Sequence, residues 1–356
     1  MAVIDMPVYK DEQRGTWYCN FYYTDWQGIK KHKMKRGFQK QKDAKEWERT
    51  FLDKSQASPQ MSFASLVDLY MADMVTSLRL STMNTKRHML NTKVLPFFSN
   101  MQISKITPAN VRQWQNELIG KGYQETYLKT IHNQLSAIFN YAVKYYNLKE
   151  NPCHKSGSMG RKNAKEMNFW TKAEYLHFAD TIADKPQSHA AFQVLYWCGL
   201  RVGELLALTK ADIDFTGKTI SVNKSYQRIE GTDIITEPKP PKSNRVVAIP
   251  ESLCEELKTY LDKLYDKKEG ARIFPVTKHY LWHEIDRGCK ASGMKRIRVH
   301  DLRHSHASLL IELGFSPLLI AERLGHENIE TTLNTYSHLY PHKQAELAEK
   351  LENIGF

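Results

Sequence analysis

The sequence predicts a multidomain protein: a small β-sheet plus helix N-terminal domain, an all-α domain, and a mainly helical α+β domain with a small antiparallel sheet. Three observations predict this. The chain has 356 residues, more than one ordinary domain holds. Strand-like runs are confined to the N-terminus and to residues 219–249, whereas apolar residues at helical spacing dominate elsewhere. Short polar stretches at residues 55–60 and 153–168 separate the parts.

Residues 1–55 are predicted to form a three-stranded sheet plus a helix. The aromatic run Trp17 to Thr24 and the basic run Ile29 to Phe38 are typical of strands, and Asp25 to Gly28 between them is typical of a turn. Gln41 to Asp53 is predicted to be a helix. The polar stretch that follows is interpreted as a linker.

The second of these strands belongs to a strongly basic segment. Seven Lys and Arg residues and no acidic residue lie from Gly28 to Lys42. A basic β-ribbon can lie in a DNA groove, although lysines on a solvated edge strand also protect a sheet from aggregation. We favour DNA binding and take five residues as candidate contacts: Lys30, Lys31, Lys33, Lys35 and Arg36.

Residues 60–152 are predicted to form a domain made of helices. Ser62 can cap one helix, Thr107-Pro108 is a cap followed by proline at the first helical position, and Asn151-Pro152 stops the last helix. That helix has the clearest apolar face, with Leu128, Ile131, Leu135, Ile138, Phe139 and Ala142. Residues 153–168 are basic, small and polar, which predicts an exposed hinge between domains.

Residues 169–356 are predicted to place helices around one patch of strands. Thr219 to Ser225, Ile234 to Thr236 and Val246 to Ile249 are typical strands of a small sheet. Ser316-Pro317 begins a short helix that Gly325 ends. In the last segment, Pro341 to Phe356, apolar residues are spaced as in an amphipathic tail helix.

The distribution of charge favours a polyanionic partner. The formal net charge is +12, and the excess lies before residue 169, because residues 169–356 hold 25 basic and 25 acidic residues. A basic surface attracts DNA or RNA, although mild basicity can also serve solubility alone.

The cysteines and the apolar runs indicate the cellular compartment in which the protein works. The five cysteines are widely spaced and form no CxxC pair, which argues against a disulfide framework or a zinc ribbon and fits a reducing cytosol. No signal-peptide run is present at the N-terminus, and the longest apolar stretch is too short to span a bilayer. These features predict a cytoplasmic protein without a membrane partner.

Residues that could take part in catalysis fall into four short sequence segments, which we call boxes. The sequence has no P-loop, no dinucleotide fingerprint and no carboxylate cluster for two metal ions, which argues against a metal-dependent nuclease. The boxes are residues 199–208 (GLRVGELLAL), 242–250 (KSNRVVAIP), 300–310 (HDLRHSHASLL), and 324–327 (LGHE) with 331–338 (TTLNTYSH). In the first box Arg201 and Glu204 share a helix face.

The histidines of the third box could also be interpreted as a metal-binding site. His300 and His304 have the i, i+4 spacing of a helical zinc pair, but the acid of an HExxH motif is missing and Arg303 stands between them. We therefore assign no metal to this box.

Together the four boxes resemble tyrosine recombinases, the integrases of phages and mobile elements. GLRVGELLAL, HDLRHSHASLL, LGH and TLNTY stand in that family's order and spacing, strongly over 169–340 and consistently over 1–152. The resemblance implies an arm-type DNA-binding domain at 1–55, a core-type DNA-binding domain at 60–152, a basic interdomain linker at 153–168, and a catalytic domain with a C-terminal tail helix at 169–356. It also implies that the tail docks on a neighbouring protomer, while packing on its own domain stays open.

The resemblance assigns the residues of a metal-free and ATP-free site without a cofactor. Arg201 and Arg303 correspond to the arginines that grip the scissile phosphate, and Glu204 to the acid that supports them. Tyr336 corresponds to the nucleophile. The remaining catalytic residues are the histidines His300 and His326 and the lysine Lys242, whose register competes with Lys239.

The implied function is site-specific recombination through a 3′-phosphotyrosine intermediate, which integrates and excises a mobile element or a phage genome. The implied partners are double-stranded DNA with core and arm-type sites, a homotetramer on that DNA, an excisionase and a DNA-bending host protein, in the nucleoid of a bacterial cell. Two alternatives stay open at this point. A type IB topoisomerase would use the same chemistry to relax supercoils, and a non-catalytic DNA-binding regulator would need only the first two domains.

Overall fold

A three-stranded antiparallel sheet and one helix form the first part of the chain in the computed structural model, which describes residues 8–24, 30–55, 60–161, 167–237, 243–264 and 270–340. The strands β1 (Val8–Asp11), β2 (Thr16–Thr24) and β3 (Lys30–Phe38) pair in the order β1-β2-β3. Helix α1 (Gln41–Ser55) covers one face of the sheet, because Cys19, Phe21 and Ala44 are buried together and Trp47 and Phe51 pack against them.

Six further helices follow in the N-terminal unit, which spans residues 1–165. They are α2 (Phe63–Met74), α3 (Leu80–Met89), α4 (Leu95–Phe98), α5 (Pro108–Gly120), α6 (Glu125–Tyr145) and α7 (Pro152–Ser156). Ser62 caps α2 and Thr107 caps α5, as the sequence predicts. A π-helical turn, Leu90–Val94, joins α3 to α4. The core of these helices contains the predicted apolar face of α6.

The segment after α6 differs from the exposed hinge predicted for residues 153–168. Cys153 and Met159 are each 2% exposed and belong to the helical core. Asn151 begins α7 because its side chain accepts a hydrogen bond from the backbone N–H of Cys153. Two apolar side chains therefore anchor this otherwise largely exposed segment to the helical core, and its role as an interdomain linker stays a prediction.

The C-terminal unit spans residues 166–356. Its helices are α8 (Lys172–Thr181), α9 (Pro186–Cys198), α10 (Val202–Leu205), α11 (Glu251–Asp262), α12 (Lys278–Ser292), α13 (Asp301–Glu312), α14 (Pro317–Leu324) and α15 (Ile329–Tyr336). Its strands are β4 (Ile213–Asp214), β5 (Thr219–Val222), β6 (Ser225–Ile229), β7 (Thr232–Thr236) and β8 (Arg245–Ala248). Most of these elements enclose one apolar core, and a smaller cluster lies around α13, α14 and α15.

The strands of this unit form two sheets instead of the one expected. One has the order β4-β5-β8, and the other is the hairpin β6-β7. The predicted strand from Thr219 to Ser225 is divided because pairing with β8 ends at Val222, and Ser225 already pairs with Thr236.

The predicted fold class is confirmed: a small antiparallel sheet with a helix comes first, followed by a helical part and a mainly helical part with small antiparallel sheets. The boundaries of the four predicted domains stay a prediction. Among the residues that the structure describes, no helix combines the length and the apolar character needed to cross a membrane.

Candidate active site

Arg201 and Glu204 form an ion pair at the start of α10. Gly199 ends α9 with a left-handed φ of 65°, and a Cβ atom there would lie 2.6 Å from the ring of His306, so the turn requires glycine. The backbone N–H of Arg201 donates to Glu204 Oε2 at 2.9 Å, and its Nη1 donates to Oε1 at 2.8 Å. Glu204 therefore fixes an arginine whose side chain stays 37% exposed.

A third arginine, Arg245, contacts the same carboxylate. It is the first residue of β8, and its Nη2 donates to Glu204 Oε2 at 2.9 Å. Its Nε donates to the backbone oxygen of Arg323 at 2.8 Å. The burial of Glu204 raises its pKa, but the arginines outweigh that effect, with Arg245 the larger, so the pKa lies below its ordinary value. The carboxylate is therefore ionised at neutral pH.

Arg303 links the start of α13 to the ends of α9 and α14 through hydrogen bonds. It lies in the first turn of α13 and is 3% exposed. Its Nη1 donates to the backbone oxygen of Gly199 at 2.8 Å, and its Nη2 donates to that of Leu324 at 2.5 Å. Burial and then the nearby Arg201 lower its pKa to about 9, so it still carries its charge at neutral pH. The two carbonyls fix the plane of a charged guanidinium beside Arg201.

The two histidines assigned by resemblance lie within the electrostatic reach of this arginine. His300 precedes α13 and is exposed as a residue, although its ring is partly desolvated by the surrounding protein, while His326 follows the left-handed Gly325 that ends α14. His326 Nδ1 is hydrogen-bonded to the hydroxyl of the buried Thr332 at 2.7 Å. Burial, followed by the charge of Arg303, lowers the pKa of His326 to about 4, and the same two causes lower that of His300. Their imidazoles are therefore neutral at neutral pH.

Tyr336 is the last residue of α15, and its side chain points into the fold. The residue is 1% exposed, and its hydroxyl is hydrogen-bonded to His304 Nδ1 at 2.7 Å. Burial raises the pKa of the phenol to about 12, while the positive charge of Arg303 acts in the opposite direction. The hydroxyl is therefore protonated at neutral pH and lies within the electrostatic reach of Arg303.

The structure brings most of the predicted site residues together. Arg303 influences the pKa values of His300, His326 and Tyr336, and Glu204 binds Arg201. Lys242 and its competitor Lys239 lie outside the described residues, so neither the position nor the register of the lysine is decided. The candidate DNA contacts of β3 belong to the N-terminal unit.

The three histidines of the third box point to different partners. His300 is exposed, His304 contacts Tyr336, and the buried His306 accepts a hydrogen bond at Nε2 from Arg323 Nε at 3.0 Å. Within the described ranges, no group of three His, Cys, Asp or Glu side chains is arranged to hold a metal ion.

Sequence reasoning missed two residues that contact the assigned site residues. Arg245 stood in the second box without a role, although it lies only three positions after the assigned Lys242. His304 was considered only as half of a zinc pair. Its contact with Tyr336 joins residues 32 positions apart in the sequence, and a local sequence pattern cannot predict a contact between residues so far apart.

Three family models match the chain in sequence. The model of the phage integrase family covers residues 169–343, that of the phage integrase N-terminal SAM-like domain covers 62–119, and that of an arm DNA-binding domain covers 7–55.

Curated proteins with similar sequences are integrases and recombinases. The ICEBs1 integrase of Bacillus subtilis is 32% identical over 319 residues, which are 85% of this chain and 86% of that protein. A XerC-like tyrosine recombinase of Caldanaerobacter subterraneus is 28% identical over 285 residues, covering 71% of this chain and 73% of its own length.

Solved structures with a similar fold come from the same group of proteins. The integrase of the Tn1549 transposon, in complex with a circular intermediate DNA, superposes with a TM-score of 0.69 at 19% identity and covers 82% of this chain and 99% of that one. A lambda integrase dimer bound to a core site covers 97% of both chains, with a TM-score of 0.60 at 16% identity. The fold, the three matching models and the 32% identity to the ICEBs1 integrase together show that the chain belongs to the phage integrase family of tyrosine recombinases.

Proposed function

We propose that this chain is a site-specific DNA recombinase that cleaves and rejoins DNA through a 3′-phosphotyrosine at Tyr336, and that it integrates and excises a mobile element or phage genome. The observation that carries the proposal is that Arg201 and Arg303 each donate to a backbone oxygen at the end of α14, directly before His326, and that His304, next to Arg303, contacts the hydroxyl of Tyr336. The ring of His300 lies 5.3 Å from the ring of His304. The family membership of the chain supports the same reaction.

The arginines supply the positive charge that the reaction needs. Attack on a phosphodiester builds negative charge on the non-bridging oxygens, and guanidinium groups offer planar pairs of donors that fit them. Glu204, which is itself bonded to Arg245, holds Arg201, while two backbone carbonyls hold Arg303. The two arginines perform the electrostatic work for which other phosphoryl-transfer enzymes use a metal, so we propose that cleavage needs none.

Neither of the two proposed steps requires ATP, because each forms one bond to phosphorus as it breaks another. The Tyr336 oxygen attacks the scissile phosphorus and loses its proton to a histidine, while the bond to the 5′ oxygen breaks and that oxygen gains a proton from Lys242. The covalent phosphotyrosine keeps the energy of the broken bond. A 5′-hydroxyl of another strand then attacks it and releases Tyr336.

The surroundings of the site suit a DNA backbone. An open cleft of about 560 Å³ begins at Arg201 and His300, and it is also lined by Lys278, Arg296 and Arg298 but by no carboxylate side chain. Arg296 and Arg298 each pair with an acid beside the cleft, Asp286 and Asp301. The cleft therefore has basic residues along its lining, and neighbouring acids balance part of the charge of two of them.

The N-terminal sheet offers a second surface for DNA. Cross-strand pairs show that Lys31, Lys33 and Lys35 lie on the face covered by α1, since they oppose Tyr23, Phe21 and Cys19. On the open face, Lys30 lies over the ring of Tyr22 and Arg36 lies over that of Tyr18. Basic and aromatic side chains together are typical of nucleic-acid contacts. We therefore propose that the open face binds arm-type sites.

The proposed assembly is a homotetramer on two core sites, with an excisionase and a DNA-bending host protein as accessory factors. Recombination exchanges strands between two duplexes, each cut on both strands, and this requires four nucleophiles. The tail that we expect to link protomers, residues 341–356, lies outside the described residues.

The decisive test compares Tyr336→Phe with Tyr340→Phe on a nicked duplex that carries the crossover site of the element, in excess EDTA. Tyr340 is the matched control, since it is a partly buried tyrosine four positions away. Covalent protein–DNA adducts on a denaturing gel should vanish in Tyr336→Phe and persist in Tyr340→Phe, while DNA binding stays unchanged in both.

Adducts in Tyr336→Phe would contradict the assignment of the nucleophile. Wild-type cleavage that EDTA abolishes and Mg²⁺ restores would contradict the metal-free mechanism. Relaxation of supercoiled DNA without strand exchange between two sites would favour the topoisomerase alternative.

A further inference from the structure

The resting position of Tyr336 is incompatible with attack on DNA. The ring packs among Ala307, Ile311, Ile320 and Leu324, and the whole residue is 1% exposed. A nucleophile must touch the phosphorus it attacks, and a phosphodiester within duplex DNA cannot enter an apolar cluster inside the protein. Either Tyr336 or the side chains that cover it must therefore move before the reaction.

His304 supplies the partner that makes this burial favourable. A hydroxyl that is buried without a hydrogen-bond partner costs free energy, so an apolar pocket alone would favour exposure of the phenol oxygen. His304 Nδ1 lies 2.7 Å from that oxygen and satisfies it. The bond therefore shifts the equilibrium of Tyr336 toward the buried position.

The position of His304 does not depend on α15. The residue lies on α13, directly after Arg303, whose guanidinium is anchored to two backbone carbonyls. The ring of His300 stands edge-on to the His304 ring, with 5.3 Å between the ring centroids. The hydrogen bond thus joins a fixed helix to the end of α15, an eight-residue helix.

We propose that His304 is a positioning residue, which holds Tyr336 in the buried resting position and whose hydrogen bond breaks before the tyrosine attacks. The inference rests on the proposed role of Tyr336 as the nucleophile. It differs from that proposal because it concerns the protein without DNA, where it can be measured by itself.

The experiment measures how fast N-acetylimidazole acetylates Tyr336 in the full chain without DNA, with peptide mass spectrometry as the readout. His304→Leu fills the space but cannot form the bond, and His304→Asn restores a polar group near the position of Nδ1. Acetylation should be about fivefold faster or more in His304→Leu, the factor that corresponds to about 1 kcal/mol of lost hydrogen bonding. It should stay near the wild-type rate in His304→Asn.

Two tyrosines provide controls within the same sample. Tyr22 is 70% exposed and should react quickly in every variant, whereas Tyr175, 0% exposed in the catalytic core, should stay protected wherever the fold is intact. Equal protection of Tyr336 in wild type and His304→Leu would overturn the proposal, because apolar packing alone would then hold the tyrosine.

Adduct formation on prebound nicked DNA tests the second half of the proposal. His304→Leu should form adducts at the wild-type rate or faster, because the bond is absent during attack. A rate about tenfold lower or more that His304→Asn rescues would overturn the claim and place His304 in the attack itself. If Tyr336 is not the nucleophile, Tyr336→Phe reveals that separately, while the acetylation result still stands.

A second variant decides the question if His304→Leu does not fold. Tyr336→Phe removes only the hydroxyl, so loss of the bond should speed amide hydrogen exchange in α15 about fivefold. Unchanged exchange would mean that the bond does not hold the helix and would overturn the proposal.

Discussion

At the scale of single residues, Arg245 decides whether the buried Glu204 can serve the site. Glu204 is 3% exposed and forms ion pairs with two arginines. One of them, Arg201, must remain able to bind the phosphate in the proposed reaction. A buried carboxylate with too little positive charge nearby is costly, and Arg245 therefore balances it while Arg201 faces the cleft. The partly exposed Arg201 depends in this way on a residue 41 positions from Glu204 in sequence.

Replacing this arginine should reveal the coupling. Arg245→Met should lower the free energy of opening of α14, measured by hydrogen exchange, by about 3 kcal/mol, because Glu204 loses a buried partner and the backbone oxygen of Arg323 on α14 loses its donor. The added variant Glu204→Gln should recover much of that loss, since no unbalanced carboxylate remains. Additive losses in the double variant would show that the pair is not coupled.

His306 should make the C-terminal unit sensitive to acid. Its Nε2 accepts a hydrogen bond from Arg323, which a protonated ring cannot do, and burial lowers its pKa from about 6.5 to about 3. Below about pH 6.5 the His306 ring therefore binds a proton in the unfolded chain but stays neutral in the folded chain until the pH approaches about 3. The stabilisation from the neutral ring is fully present above that pH and is lost as the pH falls.

The measurement is urea unfolding at pH 7 and pH 5, read from peptides of the C-terminal unit by pulsed hydrogen exchange. Wild type should lose about 2 kcal/mol through this residue at pH 5. His306→Gln keeps an acceptor near the Nε2 position and should lose less between the two pH values. The same acid loss in both proteins would contradict the role of His306.

How much of the site the sequence predicts depends on distance along the chain. The pair Arg201 and Glu204 could be predicted because residues three apart share a helix face, and the pair is present at 2.8 Å. Arg245 and His304 could not be predicted, because their partners come from other elements that only tertiary packing brings near. The resemblance named the chemistry, but it did not show where the hydroxyl of Tyr336 rests.

At the scale of elements, local signals predicted the ends of helices better than the packing of connecting segments. Ser316-Pro317 begins α14 and the left-handed Gly325 ends it, as capping chemistry requires. Cys153 and Met159 stand among basic and small residues, and composition alone conceals that they fill the helical core. Burial of single side chains within a polar segment is decided by the elements that surround them.

Strand β3 divides its charges between two faces, which leads to a prediction about DNA. The double variant Lys30→Gln with Arg36→Gln removes two cations from the open face. The control double variant Lys33→Gln with Lys35→Gln removes two that stand over the rings of Phe51 and Trp47. Only the first pair should lower the salt dependence of binding to an arm-site duplex, by about two in log–log slope, since each phosphate contact contributes about 0.9.

The control pair should act on stability alone. It loses cation–π contacts, as the first pair also does, so each double variant should destabilise the N-terminal sheet by about 1 kcal/mol in total while only the first changes the salt slope. Equal changes in salt slope for both pairs would show that the charge of the strand matters without regard to its face.

At the scale of the whole molecule, the charge excess and the chemistry lie in different parts of the sequence. Residues 1–168 carry the net charge of +12, whereas every assigned catalytic residue lies at or beyond position 201. The first part is thus suited to hold DNA, and the second to cut it. If the N-terminal part binds arm-type sites as proposed, joining both parts in one chain raises the local concentration of one DNA segment near another.

This division predicts that a fragment beginning at Gln60 cleaves but does not integrate. The break precedes Met61, which is buried in the helical core, and removes the sheet and α1 with their own small core. Adduct formation on a nicked core site should stay close to that of the full chain, because no assigned catalytic residue is lost. Integration between two separate DNA molecules should fall about a hundredfold or more, the scale that avidity through a second binding module supplies. Gel assays of adducts and of joined products on the same preparation give both values. The full-length double variant Lys30→Gln with Arg36→Gln provides a control in which the N-terminal sheet is retained. Integration by the fragment at the rate of the full chain would show that the N-terminal sheet does not bridge DNA.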